Sequence, residues 1–216
     1  MMSKMNLPNK LTMLRLCLVP VIMVLLLLPD SLVPWEIAYG VGVVIFAVTA
    51  LTDMLDGKIA RKHNLITNFG KFMDPVADKF MVIGTLMAML FRMLRPDLYG
   101  LSYNNVFTVV FFVAVVAIIF RELAITSLRL VLVNSTGTVV AAKMLGKIKT
   151  VSQIFCICAL MVEPLLDKLI THLAGDWFAA GVYPLSWALI AVMLVFTLLS
   201  GFDYIKGAWG SISTDW

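Results

Sequence analysis

The amino-acid sequence predicts an all-α integral membrane protein with six transmembrane helices and both termini in the cytoplasm. The chain has 216 residues, of which 61% are hydrophobic and 14% charged. A soluble domain of this length needs a larger polar surface, so composition excludes that class of protein. Six spans of about 20 residues with short loops account for the length. We expect a single membrane domain over residues 1–216, with lipid and no nucleic acid among its partners.

Six apolar segments follow one another along the chain, and each is bounded by glycine, proline or charged residues. They cover residues 11–28, 37–60, 70–91, 106–129, 150–170 and 183–203. The first follows Lys4 and Lys10 and is similar to a secretion signal. No cleavage site with small residues comes after it, so we expect an uncleaved first span.

The distribution of lysine and arginine predicts the orientation, because cytoplasmic loops carry an excess of both. With six spans and a cytoplasmic N-terminus, all of the 17 basic residues except Arg92, Arg95 and Lys168 fall on the cytoplasmic side. This asymmetry supports an even number of spans. It also puts residues 52–79, which join the second and third spans, at the cytoplasmic surface.

Four aspartates interrupt the second and third spans. Asp53 and Asp56 are three residues apart and share a helix face, as do Asp74 and Asp78, which are four apart. An aspartate at mid-membrane costs about 3 kcal/mol on insertion scales, so cations must compensate. Pairing with neighbouring lysines and arginines is one interpretation. The other, which we favour, is a site for two Mg²⁺ or Mn²⁺ ions, because ligands that offer only oxygen favour hard cations.

Small residues accompany the four acids. Gly57 and Ala60 continue the face of the second span that carries Asp53 and Asp56. Their lack of bulk leaves room for a phosphate or a nucleotide beside the helix. Gly70 lies near the start of the third span, where we expect it to let two helices approach closely. Paired metal ions beside such a space suit displacement at phosphorus.

The pattern Asp53-x2-Asp56-Gly57-x2-Ala60-Arg61-x8-Gly70-x3-Asp74-x3-Asp78 resembles the complete signature of the CDP-alcohol phosphotransferases. In that family of six-helix membrane enzymes, an alcohol attacks the β-phosphorus of a CDP-linked lipid and CMP leaves; homodimers are common. The resemblance implies that Asp78 is the general base. It implies that two divalent ions are bound by Asp53, Asp56, Asp74 and Asp78. It further implies contacts to the cytidine diphosphate from Asp53, Asp56, Gly57, Ala60, Arg61 and Asp74.

A group of basic residues between the fourth and fifth spans indicates an acceptor that carries its own phosphate. Arg121 and Arg129 are eight residues apart and lie roughly on one helix face. Ordinary cytoplasmic charge also explains such cations, but Arg121 directly follows an apolar run, where a charge usually has a partner or a ligand. We predict that the acceptor phosphate is bound by Arg121, Arg129, Lys147 and Lys149.

Four further segments resemble the phosphatidylglycerophosphate synthase branch of the family: "LPNKLTMLR", "NFGKFMDPVADK", "RELAITSLR" and "LGKIKT". This resemblance extends from about residue 6 to residue 153. It implies that CDP-diacylglycerol and sn-glycerol 3-phosphate are the substrates, and that the site faces the cytoplasm from a bacterial cytoplasmic membrane. Asn9, Thr12 and Arg15 are expected to help close the site from the N-terminal side.

Several alternatives remain open at this point. A phosphatidylinositol-phosphate synthase of the same family also needs cations for a phosphorylated acceptor, and phosphatidylserine and cardiolipin synthases are further members. An intramembrane prenyltransferase uses Mg²⁺ and diphosphates, but such enzymes resemble longer chains with different acid spacing. A transporter or channel uses acids as a cation site, but repeated halves are expected there and this chain has a single motif.

Overall fold

A computed structural model describes residues 6–62, 67–136, 144–174 and 183–212, and every regular element among them is helical. The side chains of residues 7–8, 54–62, 68–69, 71, 133–136, 174, 208 and 210–212 lie outside the described part. The described elements are α1 (Leu7–Leu27), α2 (Trp35–Lys62), α3 (Asn68–Leu94), α4 (Pro96–Tyr99), α5 (Asn105–Thr136), α6 (Met144–Ala174) and α7 (Pro184–Ile212). Each long helix coincides with one of the six predicted apolar segments, and only the four-residue α4 was not predicted.

Within the described ranges, four segments are long and apolar enough to cross a membrane: Asn9–Leu27, Trp35–Asp53, Asn105–Leu132 and Pro184–Gly207. They belong to α1, α2, α5 and α7. Helices α3 and α6 carry charged side chains along their length, such as Arg92 and Glu163, so hydropathy alone does not identify them as spans. The prediction of an all-helical chain with membrane-type helices is therefore confirmed. The number of six spans and the cytoplasmic termini stay predictions.

The first three helices alternate in direction. Thr12, early in α1, donates a hydrogen bond to Asp74, early in α3. The carbonyl oxygen of Leu26, late in α1, accepts one from Arg92, late in α3. Helices α1 and α3 therefore run parallel. Asp53, late in α2, pairs with Arg15 of α1, so α2 runs antiparallel to both.

The remaining long helices continue this alternation. Glu122, in the second half of α5, pairs with Lys149 near the start of α6. Arg121 donates to Ser200, in the second half of α7. The starts of α1, α3 and α6 consequently meet the ends of α2, α5 and α7. We call this end of the bundle the polar end, because most of the charged contacts described below lie there.

The core between the helices is apolar, and the outer faces are apolar as well. Fully buried side chains from all six long helices fill the interior, among them Ile22, Phe46, Met81, Phe111, Ile157 and Met193. Large apolar side chains also remain exposed on the outside, including Val44, Phe112 and Leu198. A monomeric soluble protein rarely exposes a continuous apolar surface of this kind, whereas a lipid environment favours it.

Arg92 organises the opposite end of the bundle. Its side chain is almost fully buried, and Nη1 donates to the Leu26 carbonyl oxygen over 2.8 Å. The guanidinium lies 4.5 Å from the ring centroid of Tyr99 and 5.1 Å from that of Tyr39. Desolvated cation–π contacts of this type contribute about 2 kcal/mol. A basic residue predicted for the non-cytoplasmic side is thus held by carbonyl and aromatic groups.

The close packing of α1 against α3 depends on Gly84. A Cβ atom at this position would lie 2.8 Å from the Sδ atom of Met23 in α1. We expect Gly84→Val to lower the free energy of unfolding by about 2 kcal/mol, because the added atoms overfill the contact. Thermal unfolding in detergent measures the change.

Gly40→Val in α2 is the matched control for this substitution. No described atom lies within 4 Å of a Cβ atom built at Gly40, so the variant has the same effect on helix propensity without the clash. Equal melting temperatures for the two variants would contradict the assignment of Gly84 to the helix contact.

Candidate active site

Three polar side chains of α1 face the helices that carry the aspartates. Asn9, Thr12 and Arg15 follow one another at intervals of three residues, so they share one face of the helix. Their exposed fractions are 8%, 1% and 1%. Buried polar groups of this kind are normally paired, and the pairing partners of these three lie on α2, α3 and the residue that precedes α3.

Thr12 and Arg15 bind one aspartate each. The Thr12 hydroxyl donates to Oδ1 of Asp74 over 2.6 Å, and Nη1 of Arg15 forms an ion pair with Oδ1 of Asp53. The Arg15 side chain is fully buried, while 31% of the Asp53 side chain is exposed. One helix thus orients carboxylates from both motif helices. Thr12 and Arg15, which were predicted to help close the site, therefore contact side chains of the protein itself.

Asn9 supports the start of α3. The Thr67 side chain caps this helix by accepting from the Gly70 amide over 3.0 Å, and its hydroxyl donates to Oδ1 of Asn9 over 2.9 Å. A Cβ atom at Gly70 would lie 3.1 Å from the Asn9 oxygen and 3.3 Å from the Thr67 oxygen. Glycine here therefore permits the close approach of α1 and of the helix cap.

Asp78 lies one helical turn deeper than Asp74, which is exposed. It is close enough to Asp53, Glu122 and Lys149 for each of these charges to act on it. A small pocket between α3, α5 and α6 is lined by Asp78, Lys79, Val82, Ile83, Glu122, Lys149 and Gln153. Oδ1 of Asp78 is buried and has no hydrogen-bond partner among the described residues.

Glu122 holds two of the predicted acceptor cations. Its Oε1 atom pairs with Nζ of Lys149 and lies 3.1 Å from Nη1 of Arg121. Nη2 of Arg121 also donates to the Ser200 hydroxyl over 3.0 Å. On the opposite wall of the pocket, Nζ of Lys79 donates to the Thr126 hydroxyl. The structure therefore brings Arg121 and Lys149 together around a single carboxylate.

The other two predicted acceptor residues lie apart from this pocket. The guanidinium of Arg129, two turns beyond Arg121 on α5, is 5.8 Å from the ring centroid of Tyr204 in α7. Lys147 is exposed near the start of α6. Both belong to the polar end, but neither lines the pocket in which Asp78 and Lys149 meet.

Four predicted site residues lie in the last turns of α2, which continues as a helix through Lys62. Their side chains fall outside the described residues, so their predicted roles stay predictions: Asp56, Gly57, Ala60 and Arg61.

The described carboxylates are chemically suited to bind a hard divalent cation. Asp53, Asp74 and Asp78 offer only oxygen, and the buried unpaired Oδ1 atom of Asp78 is an acceptor that lacks a partner in the described part. Within those ranges no three His, Cys, Asp or Glu side chains form a metal cluster. The predicted ligand set also contains Asp56, which lies outside them.

Sequence reasoning missed several residues of this site. Glu122 and Gln153 line the pocket, and Ser200 binds Arg121. A signal was present for two of them, because Glu122 directly follows Arg121 and Gln153 is the single glutamine of the chain, set in an apolar run. Ser200 had no local signal, because its partner is 79 residues away.

Comparison with known proteins identifies a family and several relatives. The sequence pattern of the CDP-alcohol phosphatidyltransferase family matches residues 5–199. A CDP-diacylglycerol–glycerol-3-phosphate 3-phosphatidyltransferase of Bacillus subtilis is 37% identical, with 97% of this chain and 98% of the relative covered. The enzyme of that name from Rickettsia typhi is 32% identical over 93% of this chain and 96% of its own length. A probable phosphatidylglycerophosphate synthase of Mycobacterium tuberculosis is 33% identical over 94% of this chain and 81% of its own length.

The ion pairs of Glu122 predict that removal of its charge destabilises the protein more than removal of the Lys149 charge. Glu122→Gln leaves Arg121 and Lys149 without their counter-charge, whereas Lys149→Met leaves Glu122 paired with Arg121. We expect the first variant to lose about 3 kcal/mol of unfolding free energy and the second about half as much. Thermal unfolding measures both.

Lys147→Met is the matched control, because Lys147 is an exposed cation of the same helix. Its effect should stay within about 0.5 kcal/mol. A larger loss in Lys149→Met than in Glu122→Gln would show that Glu122 does not hold both cations.

Proposed function

The chain belongs to the CDP-alcohol phosphatidyltransferase family, and we propose that it transfers the phosphatidyl group of CDP-diacylglycerol to sn-glycerol 3-phosphate. The products of this reaction are phosphatidylglycerophosphate and CMP. The observation that carries the proposal is the pocket where Asp78, an acid of the family signature, lies beside Lys149. One site thereby contains a group suited to take a proton and a cation suited to bind a phosphorylated acceptor.

Members of this family generally use divalent metal ions. We assign two Mg²⁺ or Mn²⁺ ions to Asp53, Asp56, Asp74 and Asp78. When bound, these ions neutralise the diphosphate and the charge that develops on the leaving CMP. The pairing of Thr12 with Asp74 and of Arg15 with Asp53 holds two of the carboxylates in place before any ligand arrives.

The cytidine diphosphate is assigned to the end of α2. Gly57 and Ala60 are small residues of the family signature, and Arg61 carries a positive charge suited to the diphosphate. Asp74 is exposed, which agrees with a headgroup that approaches from the membrane surface. The acyl chains remain among the apolar outer faces of the helices.

The acceptor is assigned to the pocket between α3, α5 and α6. Lys149 and Arg121 bind its phosphate, while Glu122 keeps the two cations in position in the absence of substrate. Asp78 takes the proton of the attacking hydroxyl. The hydroxyl oxygen forms a bond to the β-phosphorus as the bond from that phosphorus to the CMP oxygen breaks. Arg129 and Lys147 lie further out, where they attract the anionic acceptor.

We assign the polar end to the cytoplasmic face of a bacterial membrane. The alternation of the six long helices supports six passes, which put both termini on one side. The excess of lysine and arginine at that end supports the cytoplasm as the side. A homodimer stays a prediction.

The choice of acceptor is tested directly with purified protein, CDP-diacylglycerol and Mg²⁺. Radiolabelled sn-glycerol 3-phosphate, inositol phosphate and serine are supplied separately, and label in the lipid fraction is counted. We expect sn-glycerol 3-phosphate to be preferred over serine by at least about tenfold, because the pocket contains a cation for its phosphate. We expect it to be preferred over inositol phosphate as well, because the Bacillus subtilis relative is a glycerol-3-phosphate phosphatidyltransferase.

Omission of CDP-diacylglycerol and addition of a metal chelator are the controls, and each should abolish labelling. Preference for inositol phosphate would favour the alternative, a phosphatidylinositol-phosphate synthase. Absence of CMP release with every acceptor would contradict the transferase function.

The role of Asp78 is tested by Asp78→Asn, which keeps the shape of the side chain and removes its ability to accept the proton. We expect kcat to fall about 10²- to 10⁴-fold. Asp97→Asn is the control, because Asp97 of α4 is exposed and pairs with Arg95, the residue before that helix, far from the polar end. Near-normal turnover in Asp78→Asn would place the base elsewhere.

A further inference from the structure

A buried glutamine shares the pocket with Asp78. Gln153 lies in α6 one turn after Lys149, and 1% of its surface is exposed. Its Nε2 atom is buried and has no hydrogen-bond partner in the part of the chain that the structure describes. An unpaired buried donor costs about 1–3 kcal/mol. A ligand group that enters the pocket and accepts a hydrogen bond would remove this cost.

Two residues that line the pocket therefore carry complementary unpaired atoms, and they belong to different helices. Oδ1 of Asp78 in α3 is an acceptor, and Nε2 of Gln153 in α6 is a donor. Lys149 lines the same space and supplies a positive charge. A small phosphorylated diol matches this set, because its phosphate binds the cation, one hydroxyl donates to Asp78 and the other accepts from Gln153.

We propose that Gln153 is a specificity-determining residue that donates a hydrogen bond from Nε2 to the acceptor hydroxyl adjacent to the attacking one. This inference rests on the proposed function, since it takes sn-glycerol 3-phosphate as the acceptor. The attacking hydroxyl gives its proton to Asp78, and a lone pair of its oxygen forms the bond to the β-phosphorus. A second donor on that oxygen would compete with bond formation. The adjacent hydroxyl forms and breaks no bond, so it is free to accept.

The test compares two proteins and two acceptors. Gln153→Met has a side chain of similar length without the amide, and 3-hydroxypropyl phosphate lacks only the adjacent hydroxyl. We expect the wild type to favour sn-glycerol 3-phosphate over this analogue by about tenfold or more in kcat/KM. Gln153→Met should lower kcat/KM for sn-glycerol 3-phosphate by about tenfold and change that for the analogue by less than about twofold. The KM for CDP-diacylglycerol should stay unchanged in both proteins.

Thr85→Val is the matched control. Thr85 is also fully buried, and its hydroxyl has no hydrogen-bond partner among the described residues. It lies in α3 about two turns beyond Asp78 and does not line the pocket. Loss of this unpaired polar group should leave the preference between the two acceptors as it is in the wild type.

Two results with Gln153→Met would overturn the inference: an equal loss with both acceptors, which indicates a structural role, or no loss with either. Gln153→Asn provides a second variant that shortens the reach of the amide, and it should lose the same preference. Should neither variant fold, the wild type alone provides the test. Equal use of the two acceptors by the wild type excludes a hydrogen bond to the adjacent hydroxyl. A clear preference for sn-glycerol 3-phosphate supports that hydrogen bond. A wild type that transfers to neither acceptor overturns the proposed function as well, whereas the other adverse results overturn only the role of Gln153.

Discussion

The ion pair between Arg15 and Asp53 represents the constraint on which the rest of the structure depends. A charged side chain buried in an apolar helix bundle requires a partner of opposite charge, because removal of its charge from water costs several kcal/mol. Arg15 is fully buried, and Asp53 supplies that partner from another helix. Together with Asn9 and Thr12, Arg15 makes α1 a scaffold that orients α2 and α3. Asp53 and Asp74 of the signature are thus oriented by a helix outside the signature.

The two ends of the bundle solve the problem of buried charge in different ways. At the far end, Arg92 is held by a carbonyl oxygen and two tyrosine rings, while its Nε and Nη2 atoms have no hydrogen-bond partner among the described residues. At the polar end, Asp78 and Gln153 keep buried atoms that no described residue binds. The first arrangement stabilises the fold. The second is suited to ligands, because Asp78 and Gln153 line a pocket in which a substrate completes the hydrogen bonds that the protein leaves open.

Glu122 connects the stability of the fold with the chemistry of the site. It pairs with both Arg121 and Lys149, and its charge offsets the mutual repulsion that would otherwise oppose the approach of α6 to α5. An acceptor phosphate carries charge of the same sign as this carboxylate, so it can interact with the same two cations. The pocket therefore contains a protein group that pairs with both cations in the absence of substrate, and one of them, Lys149, lines the space beside Asp78.

The sequence by itself determined the helices, since each apolar run is bounded by breakers, and it determined the family, since the spacing of Asp53, Asp56, Asp74 and Asp78 is local to two helices. It also indicated that Arg121 and Lys149 belong to one site. Only the tertiary structure decided that Glu122 pairs both cations, that Gln153 shares the pocket of Asp78, and that Arg129 contacts Tyr204. The physical reason is that hydropathy and helical spacing act over a few residues, whereas Lys149 is 27 residues from Glu122 in sequence and the other two contacts also join different helices.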